Sequence, residues 1–114
     1  MPRFNYMVLA RPKPEREDDY DRWHREIHVD DVLEIPGFVG CTRYRLPDAQ
    51  PDGTATRWLF ATIYEIEAED PAVPLAEMKR RVGTDRMPMT DAGDGTNTLR
   101  LLLQPLSQHA AKAR

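Results

Sequence analysis

The stretch WHREIHVDDVLEIPGF, residues 23–38, places two histidines and two adjacent aspartates inside a helical pattern. At about 100° per residue, five side chains fall within about a sixth of the helical circle. They are Tyr20, His24, Ile27, Asp31 and Ile35. The Pro36-Gly37 pair then ends the helix. The pattern predicts a helix from about residue 15 to residue 35 whose buried face carries an imidazole and a carboxylate.

Runs of strand-like composition flank and follow this helix, at residues 4–10, 38–47, 57–67 and 99–105. In the second run, alternation places Phe38, Thr42, Tyr44 and Leu46 on one face and Arg43 and Arg45 on a wet face. Residues 69–83 have helical spacing, with a glycine after the last turn. The order β-α-β-β-α-β predicts an α+β, ferredoxin-like fold, in which a four-stranded antiparallel sheet carries both helices on one face.

The chain is predicted to form a single domain over residues 1–106, followed by a frayed tail at residues 107–114. The Gly- and Thr-rich segment 84–98 is long for a connection in a small domain, and such segments are lids, binding loops or disordered. Since both helices cover one face of the sheet, the other face needs a cover. A second copy of the chain would supply it, so we expect an isologous homodimer.

Composition excludes several classes of partner and location. The chain has 114 residues and a net charge of −3, with no basic stripe of the kind that binds nucleic acid. The apolar stretch near the N-terminus is too short for a signal peptide or a membrane span. We therefore expect a cytoplasmic protein without nucleic-acid or membrane contact. A lone cysteine, Cys41, allows no internal disulfide.

The polar side chains of the first helix have the spacing of an acid–base site. His24 and His28 are neighbours at i and i+4, and Asp31 lies about one turn beyond His28. A carboxylate beside an imidazole can fix its tautomer, and such a histidine in an apolar pocket can act as a general acid or base. Proton partners on the predicted strands are Tyr6, Tyr44 and Tyr64, with Asn5 as an amide donor.

Several structural alternatives remain open for the same residues. His24 can pack at the helix–sheet boundary with one hydrogen bond, and Trp23 can belong to the core. HREIH resembles the helix of zinc proteases, but that motif needs Glu directly after the first His and the chain has Arg25. His24, His28 and Asp31 could still form a two-His, one-carboxylate set for Zn or Fe. We expect no metal and no cofactor, since the chain also lacks a phosphate-binding Gly-rich loop and a nucleophile elbow.

The run W-H-x3-H-V-x-D-V-L-x-I-P-G-F, followed by C-T-R-Y-R-L, resembles the EthD-like family of the dimeric α/β-barrel superfamily, over roughly residues 18–47. The resemblance implies that His28 and Asp31 line a pocket between the sheet and the helices, with Trp23 at the family's aromatic position. Asp30 stands where the family has proline. The superfamily's haem degraders use an Asn and a Trp, for which Asn5 and Trp58 could stand in, but the second helix has no histidine.

The resemblance implies chemistry on hydrophobic small molecules, because relatives in the superfamily include cofactor-free cyclases and isomerases. Our leading hypothesis is a cofactor-independent isomerase, cyclase, dehydratase or lyase acting on an aromatic or polyketide-like molecule. His28 would move a proton next to a carbonyl, Asp31 would orient it, and His24 or a strand tyrosine would bind the oxygen. The predicted substrate-binding residues are Asn5, Tyr6, Trp23, Tyr44, Trp58 and Tyr64. The alternatives are a non-catalytic binding protein for a lipophilic molecule and a bare dimeric scaffold.

Overall fold

A computed structural model describes residues 1–113 of the chain. The elements are β1 (Arg3–Ala10), α1 (Glu17–Trp23), a π-helical turn (His24–His28), α2 (Val29–Leu33), β2 (Phe38–Arg45), β3 (Phe60–Glu67), α3 (Ala72–Arg81), a 3₁₀ turn (Gly95–Asn97) and β4 (Thr98–Leu103). None of these helices is long and apolar enough to cross a membrane.

The four strands form one antiparallel sheet in the order β2-β3-β1-β4. In its centre Tyr6 of β1 lies between Tyr64 of β3 and Leu102 of β4. Side chains alternate between the two faces of a strand, so Tyr6, Val8 and Tyr64 share a face, and the helices pack on that face. The predicted α+β, ferredoxin-like arrangement is confirmed.

The hydrophobic core lies between this face of the sheet and the helices. Its buried members are Val32, Ile35, Phe38, Tyr64, Ile66 and Met87, each at most 4% exposed. Burying one such side chain contributes about 1.5–3 kcal/mol. Met87 comes from the segment after α3, so this segment is anchored in the core.

A π-helical turn interrupts the first helix and changes which residues face the sheet. The Val29 N–H donates to the carbonyl of His24, five residues earlier, so this turn holds one more residue than an α-helical turn. Beyond it the inward positions move by one residue. Ile27 is 43% exposed, whereas Val32 is fully buried. The predicted inward position of Ile27 is therefore wrong, and Val32, rather than the half-buried Asp31, lies in the core.

A β-bulge in β2 has the same effect on the second strand. Phe38 pairs with Ile66, but the register then shifts, and Cys41 pairs with Tyr64. Because one extra residue reverses the alternation, Arg43 shares the helix-covered face with Phe38 and Cys41, and Tyr44 faces the other way. The predicted facing of Arg43 and Tyr44 is wrong for this reason.

The turn between α2 and β2 requires glycine. Gly37 has φ +103°, and a Cβ atom there would lie 3.1 Å from Cβ of Pro74 in α3. Its carbonyl accepts a hydrogen bond from the Glu67 N–H at 2.8 Å. A side chain at this position would be strained and would also push α3 from the sheet.

We expect Gly37→Ala to lower the free energy of unfolding by about 2–3 kcal/mol, because positive-φ strain adds to the contact with Pro74. The matched control is Gly83→Ala, where φ is +81° but no atom lies within 4 Å of a new Cβ. It should cost only about 1 kcal/mol. Urea unfolding of the two variants measures the difference, and equal losses would contradict the assigned role of Pro74.

Candidate functional site

A cavity of about 300 Å³ lies between the helices, the sheet and the segment that follows α3. The first helix contributes Tyr20, Trp23, His24 and His28 to its wall. The sheet contributes Tyr6, Val8, Tyr64, Thr98 and Arg100, and α3 contributes Met78. The wall is therefore mostly aromatic and apolar, with a few polar groups, as in small-molecule pockets.

His24 is held in one tautomer by a chain of hydrogen bonds. The side chain is 4% exposed. Arg43 Nε donates to its Nδ1 at 3.1 Å, and the Arg43 guanidinium is also paired with the Asp21 carboxylate. A guanidinium has no acceptor, so Nδ1 must carry a lone pair and the proton must sit on Nε2. Burial, reinforced by the charges of His28 and Arg43, lowers the pKa of His24 to about 3, so the ring is neutral at neutral pH.

Tyr64 is the hydrogen-bond acceptor for the protonated nitrogen of this ring. Its hydroxyl oxygen lies 3.1 Å from His24 Nε2 and accepts the N–H, while Thr62 Oγ1 is a longer contact at 3.4 Å. Burial raises the pKa of Tyr64, so the phenol stays protonated. Its own hydrogen has no acceptor within residues 1–113. The network therefore leaves the Tyr64 hydroxyl ready to donate to an oxygen atom in the cavity.

The His28 ring stacks on the Trp23 indole. The ring centroids are 4.5 Å apart and the planes differ by 22°. The two residues are five apart, and the π-helical turn brings them to one side of the helix. Nδ1 is buried without a hydrogen-bond partner in the described chain. Burial lowers the pKa of His28 to about 4, so at neutral pH the ring has a free lone pair.

The segment at residues 84–98, for which the sequence left lid, binding loop or disorder open, forms a fixed wall of the cavity. The Trp23 indole N–H donates to the Pro88 carbonyl at 3.0 Å. Met87 and Ala92 are fully buried. Thr90 and Gly93, between and beyond these anchors, line the cavity.

Asp31 does not take part in the cavity. It is not among the lining residues, and within residues 1–113 it makes no hydrogen bond to His28. The extra residue of the π-helical turn moves it off the inward face. The structure gives no support to its predicted role of orienting His28. No three His, Cys, Asp or Glu side chains of the described chain come close enough to hold a metal ion.

Five predicted site residues line the cavity and three others do not. His24, His28, Tyr6, Trp23 and Tyr64 do line it. Asn5 and Tyr44 lie on the opposite face of the sheet, by strand alternation and by the β2 bulge. Trp58 precedes β3 and packs with Arg57, whose guanidinium carbon lies 5.5 Å from its ring. None of these three residues lines the cavity, so their contact with a ligand stays a prediction.

Tyr20 and Arg100 are among the lining residues that sequence reasoning missed. Tyr20 was assigned to the inward face of the helix but not to the site. Arg100 was read as part of an apolar strand, LRLLLQP. It pairs with Val8 of β1, which places it on the cavity face. The signal was present, since Arg100 is the one charged residue of that run.

No protein-family profile matches the sequence, and no curated protein does. Solved structures do match. An ethyl tert-butyl ether D (EthD) family protein from Bacillus halodurans has 16% identity and a TM-score of 0.62, covering 91% of this chain and 99% of that one. This chain has the same fold as that protein. An uncharacterized NIPSNAP domain protein from Burkholderia xenovorans has 11% identity and a TM-score of 0.50, with 95% and 99% covered. The EthD-like fold predicted from residues 18–47 is confirmed, and at these identities the likeness concerns the fold alone.

Burial of the two histidines makes this EthD-like fold acid-sensitive. Both pKa values fall from 6.5, to about 3 for His24 and about 4 for His28, so below pH 6.5 the unfolded chain binds more protons than the native one. We expect each histidine to remove up to about 1.4 kcal/mol of stability per pH unit of acidification until its native pKa is reached.

His28→Gln should therefore flatten the fall of unfolding free energy between about pH 6 and pH 4 relative to the parent chain. His109→Gln, in the exposed tail, is the control and should leave the slope unchanged. Denaturant unfolding at several pH values measures both slopes. Parallel curves for the parent and His28→Gln would contradict a neutral, buried His28.

Proposed function

We propose that the cavity binds a flat, largely apolar molecule with a carbonyl group and that the chain is a cofactor-independent enzyme. The observation that carries the proposal is that one cavity is lined both by the unpaired, neutral ring of His28 and by the donor-ready hydroxyl of Tyr64. A lone pair and an O–H donor in one mostly apolar pocket are what proton abstraction next to a carbonyl needs. The aromatic walls suit a planar ligand.

The proposed step is a proton transfer. His28 takes a proton from the carbon next to the carbonyl, the C–H electron pair forms a C=C bond, and the carbonyl π pair moves onto oxygen. Tyr64 donates a hydrogen bond to this enolate oxygen. The protonated His28 then returns its proton to another carbon, which completes an isomerisation, or to a leaving group, which completes a dehydration or lyase reaction.

His24 and Arg43 act on this step through Tyr64. Arg43 donates to Nδ1 of His24, so His24 always presents an N–H to the Tyr64 oxygen. This polarises the hydroxyl toward donation, because hydrogen bonds in a chain strengthen one another. His24 and Arg43 are therefore positioning residues. The sequence left this oxygen contact to His24 or a strand tyrosine, and we now assign it to Tyr64.

The low pKa of His28 narrows the substrate class. A ring with a pKa of about 4 is fully unprotonated at neutral pH but is a weak base. It matches a carbon acid that is already activated, such as a CH₂ group between a carbonyl and an aromatic ring. We therefore favour arylmethyl ketones, in which the acidic CH₂ joins the ring to the carbonyl, over simple aliphatic ketones. The EthD-like fold and the residue pattern at 23–38 support family membership, and a cytoplasmic location stays a prediction.

2-Tetralone is a suitable test probe, because its CH₂ lies between an aromatic ring and a carbonyl. Deuterium incorporation at that carbon in D₂O, followed by mass spectrometry, should be accelerated by the parent protein. The accelerated rate should rise through about pH 4, as His28 loses its proton, and stay level above it. His28→Gln should reduce it by about 10²–10⁴-fold, and Tyr64→Phe by about 10²–10³-fold.

The matched controls are His109→Gln and Tyr44→Phe, which make the same chemical changes outside the cavity. Both should exchange 2-tetralone at the parent rate, and thermal unfolding checks that all four variants fold. Exchange at the parent rate in a folded His28→Gln variant would remove His28 from the mechanism.

A non-catalytic binding protein is the second candidate. The weak basicity of His28 and the lack of an acidic hydrogen-bond partner in residues 1–113 favour it. In that case 2-tetralone would raise the thermal midpoint of the parent protein without accelerated exchange.

We further propose that the chain is a homodimer, with the helix-free face of the sheet as its interface. This face carries Leu99, Leu101 and Leu103 at 38–39% exposure and Tyr44 at 51%. A row of exposed leucines on an edge strand is an aggregation hazard unless it is covered. A second copy is the proposed cover, because the same face on both chains makes a self-complementary contact.

Leu101→Lys should convert the dimer to a monomer, because it places two charges at the interface. Val73→Lys, which is 67% exposed on α3, is the control on the helix side and should remain dimeric. Sedimentation velocity measures the mass of each. A monomeric parent chain at micromolar concentration would refute the dimer.

A further inference from the structure

Arg100 is a cation without a partner at the edge of the cavity. Its register opposite Val8 places it on the helix-covered face of β4, and it lines the cavity. Within residues 1–113 its guanidinium makes no ion pair and no side-chain hydrogen bond. Asp21 neutralises Arg43 at the opposite edge of the sheet, on β2, but no carboxylate lines the cavity beside Arg100.

Two further donors accompany it. Tyr6 and Tyr20 both line the cavity, and neither hydroxyl has a hydrogen-bond partner in the described chain. Burial raises the pKa of both phenols, and the charge of Arg100, which lines the same cavity, partly offsets this. Both phenols therefore stay protonated and can donate.

The net charge of the residues that line the cavity is therefore positive. His24 and His28 are neutral at neutral pH, and the other lining residues apart from Arg100 are uncharged. A guanidinium with two O–H donors nearby is complementary to an anion. A carboxylate is the best match, because its planar pair of oxygens fits the fork of a guanidinium.

We propose that Arg100, with Tyr6 and Tyr20, binds a carboxylate of the ligand. This inference deepens the proposed function and rests on it, since it makes the substrate an aromatic keto acid. β1 lies between β3 and β4, and Arg100 pairs with Val8, two residues along β1 from the partner of Tyr64, so the backbones of Tyr64 and Arg100 lie about 12 Å apart. A ring system of one or two fused rings spans that distance between a carbonyl at Tyr64 and a carboxylate at Arg100.

The test uses two probes that differ only in the carboxylate. They are 6-acetyl-2-naphthoate and neutral 2-acetylnaphthalene, and calorimetric titration gives the dissociation constant of each. The parent protein should bind the acid about tenfold more tightly than the ketone. Added salt should weaken binding of the acid and leave binding of the ketone unchanged. Arg100→Gln should abolish this preference and change ketone binding less than twofold.

Arg86→Gln is the matched control, because it removes the same charge from an exposed residue that does not line the cavity. It should keep the preference for the acid, and Arg100→Lys should restore part of it. Equal binding of both probes by the parent protein, or binding of neither, would overturn the inference.

The two proposals fail separately. Acid binding that depends on Arg100, in a protein that does not exchange 2-tetralone, supports the carboxylate site and refutes the enzyme. Exchange that depends on His28, without any preference for the acid, supports the enzyme and refutes the carboxylate site.

Discussion

The candidate site depends on one widened turn of helix, in which the Val29 amide donates to the His24 carbonyl. The extra residue lets Trp23 stack on His28 and turns His28 toward the cavity. It also places Val32 in the core where regular α-helical spacing would place Asp31. π-Helical turns are rare and occur frequently at functional sites, where an interaction elsewhere offsets their cost. The stacked pair contributes about 0.5–1.5 kcal/mol toward it.

The bulge in β2 is the second irregularity that the site depends on. One hydrogen bond connects it to the π-helical turn. The bulge turns Arg43 toward the helices, and Arg43 then donates to Nδ1 of His24, the first residue of the widened turn. Asp21 on α1 holds the other side of the guanidinium. Each irregularity adds one residue to a regular repeat, and together they fix the tautomer of a buried ring. A chain with a regular helix and a regular strand would have the same fold and a different cavity.

These two one-residue irregularities explain how much of the fold and of the site could be predicted from the sequence. Periodicity identified the elements, and their order gave the ferredoxin-like sheet, because most residues obey regular repeats. A one-residue insertion leaves no mark in composition, so Asp31 and Tyr44 were assigned to the wrong sides. Asn5 is a different case, since alternation with Tyr6 already placed it on the other face. Arg100 was missed because an arginine in an edge strand is normally a solvent-exposed residue.

The placement of charge follows from the cost of burying it. The two imidazoles lie deep enough for burial to hold them neutral, so they act through hydrogen bonds and a lone pair. Arg43, which is partly buried, has Asp21 to balance it. The one charge left unbalanced among the lining residues is Arg100, which stays exposed to solvent and so keeps most of its hydration. An anion reaching it from solvent gives up little hydration itself, while the apolar body of the same molecule gains from entering the cavity. In the proposed complex the charge of the ligand therefore stays at the rim, and its carbonyl lies in the interior, where the Tyr64 donor is strongest.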